Sequence, residues 1–382
     1  MTAPIYLDYA ATTPVSERAA KAMSECLTRS GTFANPASRS HVYGWQAEEK
    51  VEESRGQVAQ LLGCDPREVV WTSGATEANN LALKGVFETH NYQGHLITST
   101  IEHKAIIDPA RWLESKGVDV TWLEPSADGV IQVEQVRQAL RGDTRMVSLM
   151  HVNNEVGAIN PIAEIGSLCQ ELGVLMHSDA AQAAGKIAID VDSLNVDMLS
   201  LSAHKFYGPK GVGCLYVKRS AQPQVALQMH GGGQERGMRS GTLPTHQVVG
   251  MGEAAAECSE CLDAEAGRLA ELRDRLWHGV ASISGARRNG GAENVSPAHL
   301  NVCFSGVEGE VLLLSLRELA ISSGSACASA SLSPSYVLKA MGLSDTDAHS
   351  SVRFSLGRYT SEEDVERAIE HIHQVVTKLQ NA

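Results

Sequence analysis

Leu199-Ser200-Leu201-Ser202-Ala203-His204-Lys205 runs directly into Phe206-Tyr207-Gly208-Pro209-Lys210-Gly211. The apolar part of this stretch reads as a buried strand. It ends in hydroxyls, a histidine and a lysine, and a glycine-proline turn follows at once. Lysine seldom closes a core strand without a reason, because burying its charge is costly. One such reason is covalent: an amine that has lost its proton can bond an aldehyde. Ser202 and His204 beside it suit a phosphate. The plainer alternative is a strand-end lysine in solvent, and this stretch alone does not separate the two.

Working outward, short β-branched apolar runs alternate with helical patterns from about residue 65 to 220. The runs are Glu68–Thr72, His95–Ser99, Val118–Leu123, Arg145–His151, Val174–Ser178, Asp197–Ser202 and Gly213–Lys218. Helical stretches at Glu77–Glu88, Ala105–Ser115, Val133–Leu140 and Pro161–Leu172 lie between most of them. This rhythm predicts an α/β domain around a mostly parallel sheet. Gly211-Val212-Gly213 predicts that the last strand returns antiparallel. Amphipathic helices are expected at Ser16–Ser30 and Gly44–Leu62, and a long helix from Gly250 to about Ser282. Strands at Leu300–Phe304 and Ser351–Ser355, with helices at Glu308–Glu318 and Ser361–Leu379, predict a smaller α+β domain. The expected division is residues 16–255 for the large domain and residues 1–15 plus 256–382 for the small one.

In open α/β sheets ligands bind beyond the carboxyl ends of the strands, and each expected strand ends in residues suited to one part of such a site. Thr72-Ser73-Gly74-Ala75-Thr76-Glu77 takes a strand through small residues into a helix, where free backbone N–H groups form an anion site. His103 follows the next strand and can stack on a ring or exchange protons. Asn154 follows the Arg145–His151 run with amide groups for a ring hydroxyl. Asp179, at the end of Val174–Ser178, can pair with a pyridinium nitrogen and keep a ring electron-poor. A buried carboxylate at a strand end needs such a cation. Each element alone has an ordinary structural explanation. Their succession along the chain, ending in Lys205, points to pyridoxal 5'-phosphate.

Two further signals lie downstream. Ile321-Ser322-Ser323-Gly324-Ser325-Ala326-Cys327-Ala328-Ser329-Ala330-Ser331 is small, polar and aperiodic, which predicts a loop carrying one thiol. Arg353, within an expected strand, offers a guanidinium that can bind a substrate carboxylate through two parallel hydrogen bonds.

The bulk composition narrows the function classes. The chain has 382 residues, 43% hydrophobic and 20% charged, with a net charge of -13. That balance, without a basic block, argues against nucleic-acid or anionic-membrane binding. No apolar run approaches the ~18–20 residues that span a bilayer. The first residues show no basic region followed by an apolar core, so a cytoplasmic location is expected. Eight scattered cysteines fit free thiols in a reducing compartment. Cys258 and Cys261 form a C-x-x-C, but it lies inside the expected long helix with no second pair, so a structural role is expected and no metal site.

With these segments assembled, the chain resembles the cysteine desulfurases of the NifS/IscS family, nearest the IscS type. The likeness runs from Tyr6-Leu7-Asp8-Tyr9-Ala10-Ala11-Thr12-Thr13-Pro14 to about Thr360. Its most specific pieces are Asn35-Pro36-Ala37-Ser38-Arg39-Ser40-His41, Thr72-Ser73-Gly74-Ala75-Thr76-Glu77, His151-Val152-Asn153-Asn154-Glu155, Ser202-Ala203-His204-Lys205, His230-Gly231-Gly232-Gly233, Arg239-Ser240-Gly241-Thr242 and Ser323-Gly324-Ser325-Ala326-Cys327.

The resemblance implies fold type I, the aspartate-aminotransferase-like fold of pyridoxal-phosphate transferases, in a homodimer. It implies that Lys205 holds the cofactor covalently, and that Ala75, Thr76, Ser202 and His204 contact its phosphate. Thr242 would reach the phosphate in the other protomer. It assigns Asp179 to the ring nitrogen, Gln182 and Asn154 to the ring-oxygen side, and His103 to stacking and proton transfer. Arg353 and Asn154 would hold the carboxylate of L-cysteine, and Cys327 would accept its sulfur as a persulfide. Sulfur-acceptor proteins, an iron–sulfur scaffold or a sulfur carrier, follow as partners. Ala181, Ala203 and Gln234 depart from the threonine, glycine and histidine expected there, and none removes a group that this chemistry needs. The competing expectations are another fold-type-I enzyme (a selenocysteine lyase or an aminotransferase) and a non-catalytic sulfur-relay scaffold.

Overall fold

The computed structural model describes residues 3–323 and 334–381. Its strands, in chain order, are β1 (Ile5–Tyr6), β2 (Val69–Thr72), β3 (His95–Ser99), β4 (Asp119–Leu123), β5 (Thr144–Ser148), β6 (Leu175–Asp179), β7 (Met198–Ser202), β8 (Gly213–Val217), β9 (Ala286–Asn289), β10 (His299–Phe304), β11 (Leu319–Ala320) and β12 (Ser351–Ser355).

Seven of them form one sheet in the order β2-β8-β7-β6-β5-β3-β4. All run parallel except β8, which is antiparallel to both of its neighbours. This is the expected α/β architecture, including the antiparallel return at Gly213. Successive side chains of a strand point to opposite faces, and both faces here are covered. Val69, Trp71, Val147, Leu199 and Leu201 join one buried cluster. Val70, Met146 and Met198 join the other, against the helix Ala75–Thr89. Burial on both sides explains why these strands read as continuous apolar runs rather than alternating ones.

A second sheet, β12-β10-β9, is antiparallel. It packs with the helix Glu362–Gln380 and the end of the helix Thr245–Val280 into a separate cluster. The N-terminus returns to this cluster: Ile5 and Leu7 are buried in it, and β1 pairs in parallel with β11.

Among the boundaries that differ from the sequence reading, three stand out. The helix expected at Ser16–Ser30 is confined to Glu17–Ser24. Beyond it, the Thr28 and Ser30 hydroxyls bond each other at 3.0 Å, and such side chains compete with helical backbone bonding. The strand expected to reach His151 ends at Ser148. The Asn153 Oδ1 accepts from the Glu155 and Val156 amides at 2.9 and 3.0 Å, closing a turn there. The long helix begins at Thr245, five residues before Gly250, and runs unbroken across residue 255. Cys258 and Cys261 both lie on it.

Candidate active site

The carboxyl ends of β2, β5, β6 and β7, with the loop after β3, open onto one cleft of about 510 Å³. Ala75, Thr76, His103, Asn154, Asp179, Gln182, Ser202, His204, Lys205 and Arg353 all line it. Thr242 is exposed and does not line it. Cys327 lies outside the described residues.

Lys205 ends the short turn Ala203–Lys205 that follows β7. Its Nζ donates to the carbonyls of Ala10 and Ala11 at 2.7 and 2.8 Å. The N-terminal segment is laced along the same turn: Thr13 N donates to the His204 carbonyl, and Tyr207 N to Thr13 Oγ1. Lys205 is thereby aimed by residues from the far end of the chain.

Asp179, 5% exposed, ends β6. Its Oδ2 accepts from Asn79 Nδ2 at 2.7 Å and its Oδ1 from the Ala181 amide at 3.0 Å. Two donors hold the carboxylate in one orientation, facing the cleft.

The helix Ala75–Thr89 starts without a side-chain cap among the described residues. Its first residues line the cleft, so unsatisfied N–H groups and the positive end of the helix dipole serve an anion there. Gly74, which leads into the helix, has φ +153° and ψ 177°, a region essentially limited to glycine. Ser202 Oγ would lie 3.5 Å from a Cβ at that position. His204 Nδ1 bonds Thr12 Oγ1 at 3.1 Å. Burial, with the charges of Lys205, Lys210 and Lys186 nearby, pushes His204 down to about 4.

His103 caps the helix Lys104–Glu114, its Nδ1 accepting from the Ala105 amide at 3.1 Å. Arg353, on β12, reaches across from the smaller sheet and is 4% exposed. Its Nη1 donates to the Asn154 carbonyl at 2.9 Å and its Nη2 to Asp8 Oδ1 at 2.7 Å.

Three polar atoms of this cleft are buried without a hydrogen-bond partner among the described residues: Asn154 Oδ1, Gln182 Oε1 and Arg353 Nε. Buried polar groups are rarely left so unless something else satisfies them. Two acceptors beside a held carboxylate, an uncapped helix start and an amine match a phosphorylated pyridine aldehyde, and the guanidine N–H matches a substrate carboxylate. The residues present fit pyridoxal phosphate.

Residues 5–368 match the model of the class-V aminotransferase family. The chain is 56% identical to the cysteine desulfurase IscS of Shewanella baltica over 380 residues, 99% of this chain and 94% of that one. It belongs to the NifS/IscS cysteine desulfurases. Like the other members of this class, it is an enzyme that works with pyridoxal phosphate. Among solved structures, a NifS-like protein superposes with a TM-score of 0.91 at 35% identity, covering 98% of this chain and all (100%) of that one. A structure described as SspA in complex with cysteine superposes at 0.83 with 41% identity, covering 93% and 99%. Both share the fold-type-I architecture that the seven-stranded sheet displays.

Some residues of this desulfurase site were not legible in advance. Asn79 gave one weak signal, a polar side chain among Ala78, Leu81 and Ala82 on the apolar face of its helix. The acceptors for Lys205 are backbone carbonyls, which leave no trace in side-chain pattern. Lys186, 6% exposed, donates from Nζ to the Lys205 carbonyl at 3.2 Å. Burial and the Lys205 charge push it down to about 8. His177, fully buried on β6, bridges Ser148 and Ser200 on the adjacent strands at 2.9 and 3.0 Å.

Proposed function

We propose that this chain converts L-cysteine to L-alanine and passes the sulfur to Cys327 as a persulfide, with Lys205 and His103 as the other catalytic groups. The observation that carries the reading is the convergence on one cleft of Lys205, the held carboxylate of Asp179, the uncapped helix start at Ala75 and the Arg353 guanidinium.

When bound, pyridoxal phosphate supplies an electrophilic carbon for the amino group and a sink for the electron pair released at Cα. The N–H groups of Ala75 and Thr76, with Ser202 and His204, would bind the phosphate. Asp179 holds a proton at the ring nitrogen. Gln182 and Asn154 would bind the ring-oxygen side, and His103 would stack on the ring. Arg353 binds the substrate carboxylate, fixing which Cα bond faces Lys205. Lys205 Nζ takes the Cα proton and returns it. The Cys327 thiolate attacks the substrate sulfur. A new S–S bond forms, the Cβ–S bond breaks with its electron pair going to carbon, and His103 relays the proton that completes alanine.

The test is direct. Purified protein given L-cysteine and a thiol reductant should yield equal amounts of alanine and sulfide. Borohydride should fix the cofactor on Lys205. Cys327→Ala should keep the cofactor colour and lose the protein-bound persulfide. A keto acid in place of alanine, or sulfide released by Cys327→Ala at the wild-type rate, would overturn the assignment.

A homodimer belongs to the same reading. It is supported by Thr242, exposed and outside its own cleft, and by a surface of exposed Phe33, Val42, Tyr43 and Trp45. The proposed division into residues 16–255, and 1–15 with 256–382, is supported by separate buried clusters at either end of the helix Thr245–Val280. Among the described residues, no helix is long and apolar enough to cross a membrane, and a cytoplasmic location is part of the proposal. The sulfur acceptor is an iron–sulfur scaffold or a sulfur carrier, with cluster assembly favoured over tRNA thiolation and no direct contact with nucleic acid.

A further inference from the structure

Glu102 immediately precedes His103 and is fully buried. Its Oε1 accepts from Ser99 Oγ at 2.8 Å and from the Met150 amide at 3.0 Å. Its Oε2 is buried with no hydrogen-bond partner among the described residues. The charged group that acts on it is a like charge, Asp179. The same turn is tied down again by Tyr336, whose hydroxyl donates to the Glu102 carbonyl at 2.6 Å, while Lys104 Nζ lies over the Tyr336 ring. Ser99 ends β3, Met150 follows β5 and lines the cleft, and Asp179 ends β6, so one carboxyl group joins the elements that present His103 and the ring-facing wall.

An ionised Glu102 would leave one oxygen bare in an apolar interior. It would also add a second negative charge to a site that already holds Asp179, and a like charge disfavours the ionised form. Asp179 is the one that must be charged if it is to hold a ring-nitrogen proton. Burial, with Asp179 adding to it, pushes Glu102 up to about 8.

Resting on the desulfurase reading above, we propose that Glu102 is a positioning residue, a neutral carboxylic acid that clamps the His103 turn to the end of β5 and leaves the negative charge of the site to Asp179.

The experiment compares wild-type, Glu102→Gln and Glu102→Ala enzymes loaded with pyridoxal phosphate. Glutamine reproduces the neutral acid with its Oε1 acceptor. Difference infrared spectra at pH 7 should show the carbonyl band of a protonated carboxylic acid in the wild type and not in Glu102→Gln, and the band should fade as pH rises past about 8. Glu102→Ala should lower kcat roughly tenfold to a hundredfold through misplacement of His103. Glu102→Gln should restore it to within about twofold at pH 7. A missing acid band, or glutamine no better than alanine, would overturn the proposal. If alanine does not fold, the spectrum and the glutamine variant still decide. Failure of the desulfurase reading would show separately, as a wild-type enzyme that makes no alanine.

Discussion

Arg353 Nη2 lies 2.7 Å from Asp8 Oδ1, an ion pair between a strand of the smaller sheet and the N-terminal segment beside Lys205. With the Asn154 carbonyl on Nη1, it leaves Nε without a partner among the described residues, on a guanidinium that lines the cleft. The fork is oriented before any substrate arrives.

Lysine at this position keeps the charge but not the fork. Arg353→Lys is expected to raise KM for cysteine about tenfold or more, the equivalent of one charge-assisted hydrogen bond, with a smaller change in kcat. Steady-state kinetics check it, and an unchanged KM would remove Arg353 from carboxylate binding.

Acid stability should follow the buried histidines. His151 and His204 are pushed down to about 4 and His177 to about 3, in each case first by burial. In the unfolded chain they titrate near 6.5, so between pH 6.5 and pH 4 the unfolded state binds more protons and stability falls as pH falls. Their stabilising contribution is complete above pH 6.5 and is lost progressively through about 4. Thermal midpoints measured from pH 7.5 to 4.5 should drop steadily. His177→Gln should flatten that drop in part, even where it lowers the midpoint at pH 7.5.

Arg55 and Glu235 form a buried ion pair, with N–O distances of 2.7 and 2.9 Å. Glu235 also accepts from the Trp71 amide at 2.8 Å. The pair anchors the turn Glu235–Gly237, which leads to Thr242, against β2. Removing Glu235 takes the buried partner from Arg55, which keeps the exposed Glu52, bonded to its Nε and Nη2 at 3.0–3.1 Å. Glu235→Ala is therefore expected to cost about 1–3 kcal/mol of stability, read by denaturant unfolding, and to weaken self-association in sedimentation. A loss under about 1 kcal/mol would mean that the Arg55 charge finds solvent instead.

Gly74→Ala sets a Cβ on backbone at φ +153°. The strain should cost about 1–3 kcal/mol, and the added methyl narrows the approach between the helix start and Ser202. Pyridoxal-phosphate affinity, followed by absorbance titration of the apoenzyme, should fall while borohydride still fixes the bound fraction on Lys205. Unaltered affinity would place the phosphate elsewhere.

The alternation of apolar runs with helical segments determined the class of fold, because burial on both faces of a parallel sheet forces near-continuous apolar strands linked by helices. The polar residues that close those strands, from Thr72 to Lys205, determined the chemistry the cleft can host, because strand ends of such a sheet share one edge. What local pattern could not carry was contact between segments distant in the chain. Lys205 finds its acceptors 195 and 194 residues away, Asp179 is held by Asn79 100 residues earlier, and Arg353 meets Asp8 across 345 residues. The turn of the N-terminus back onto the smaller sheet, and the burial that shifts Glu102 and His204, likewise depend on which surfaces pack together. Those were decided by the tertiary structure alone, since backbone acceptors and burial belong to no single residue's identity.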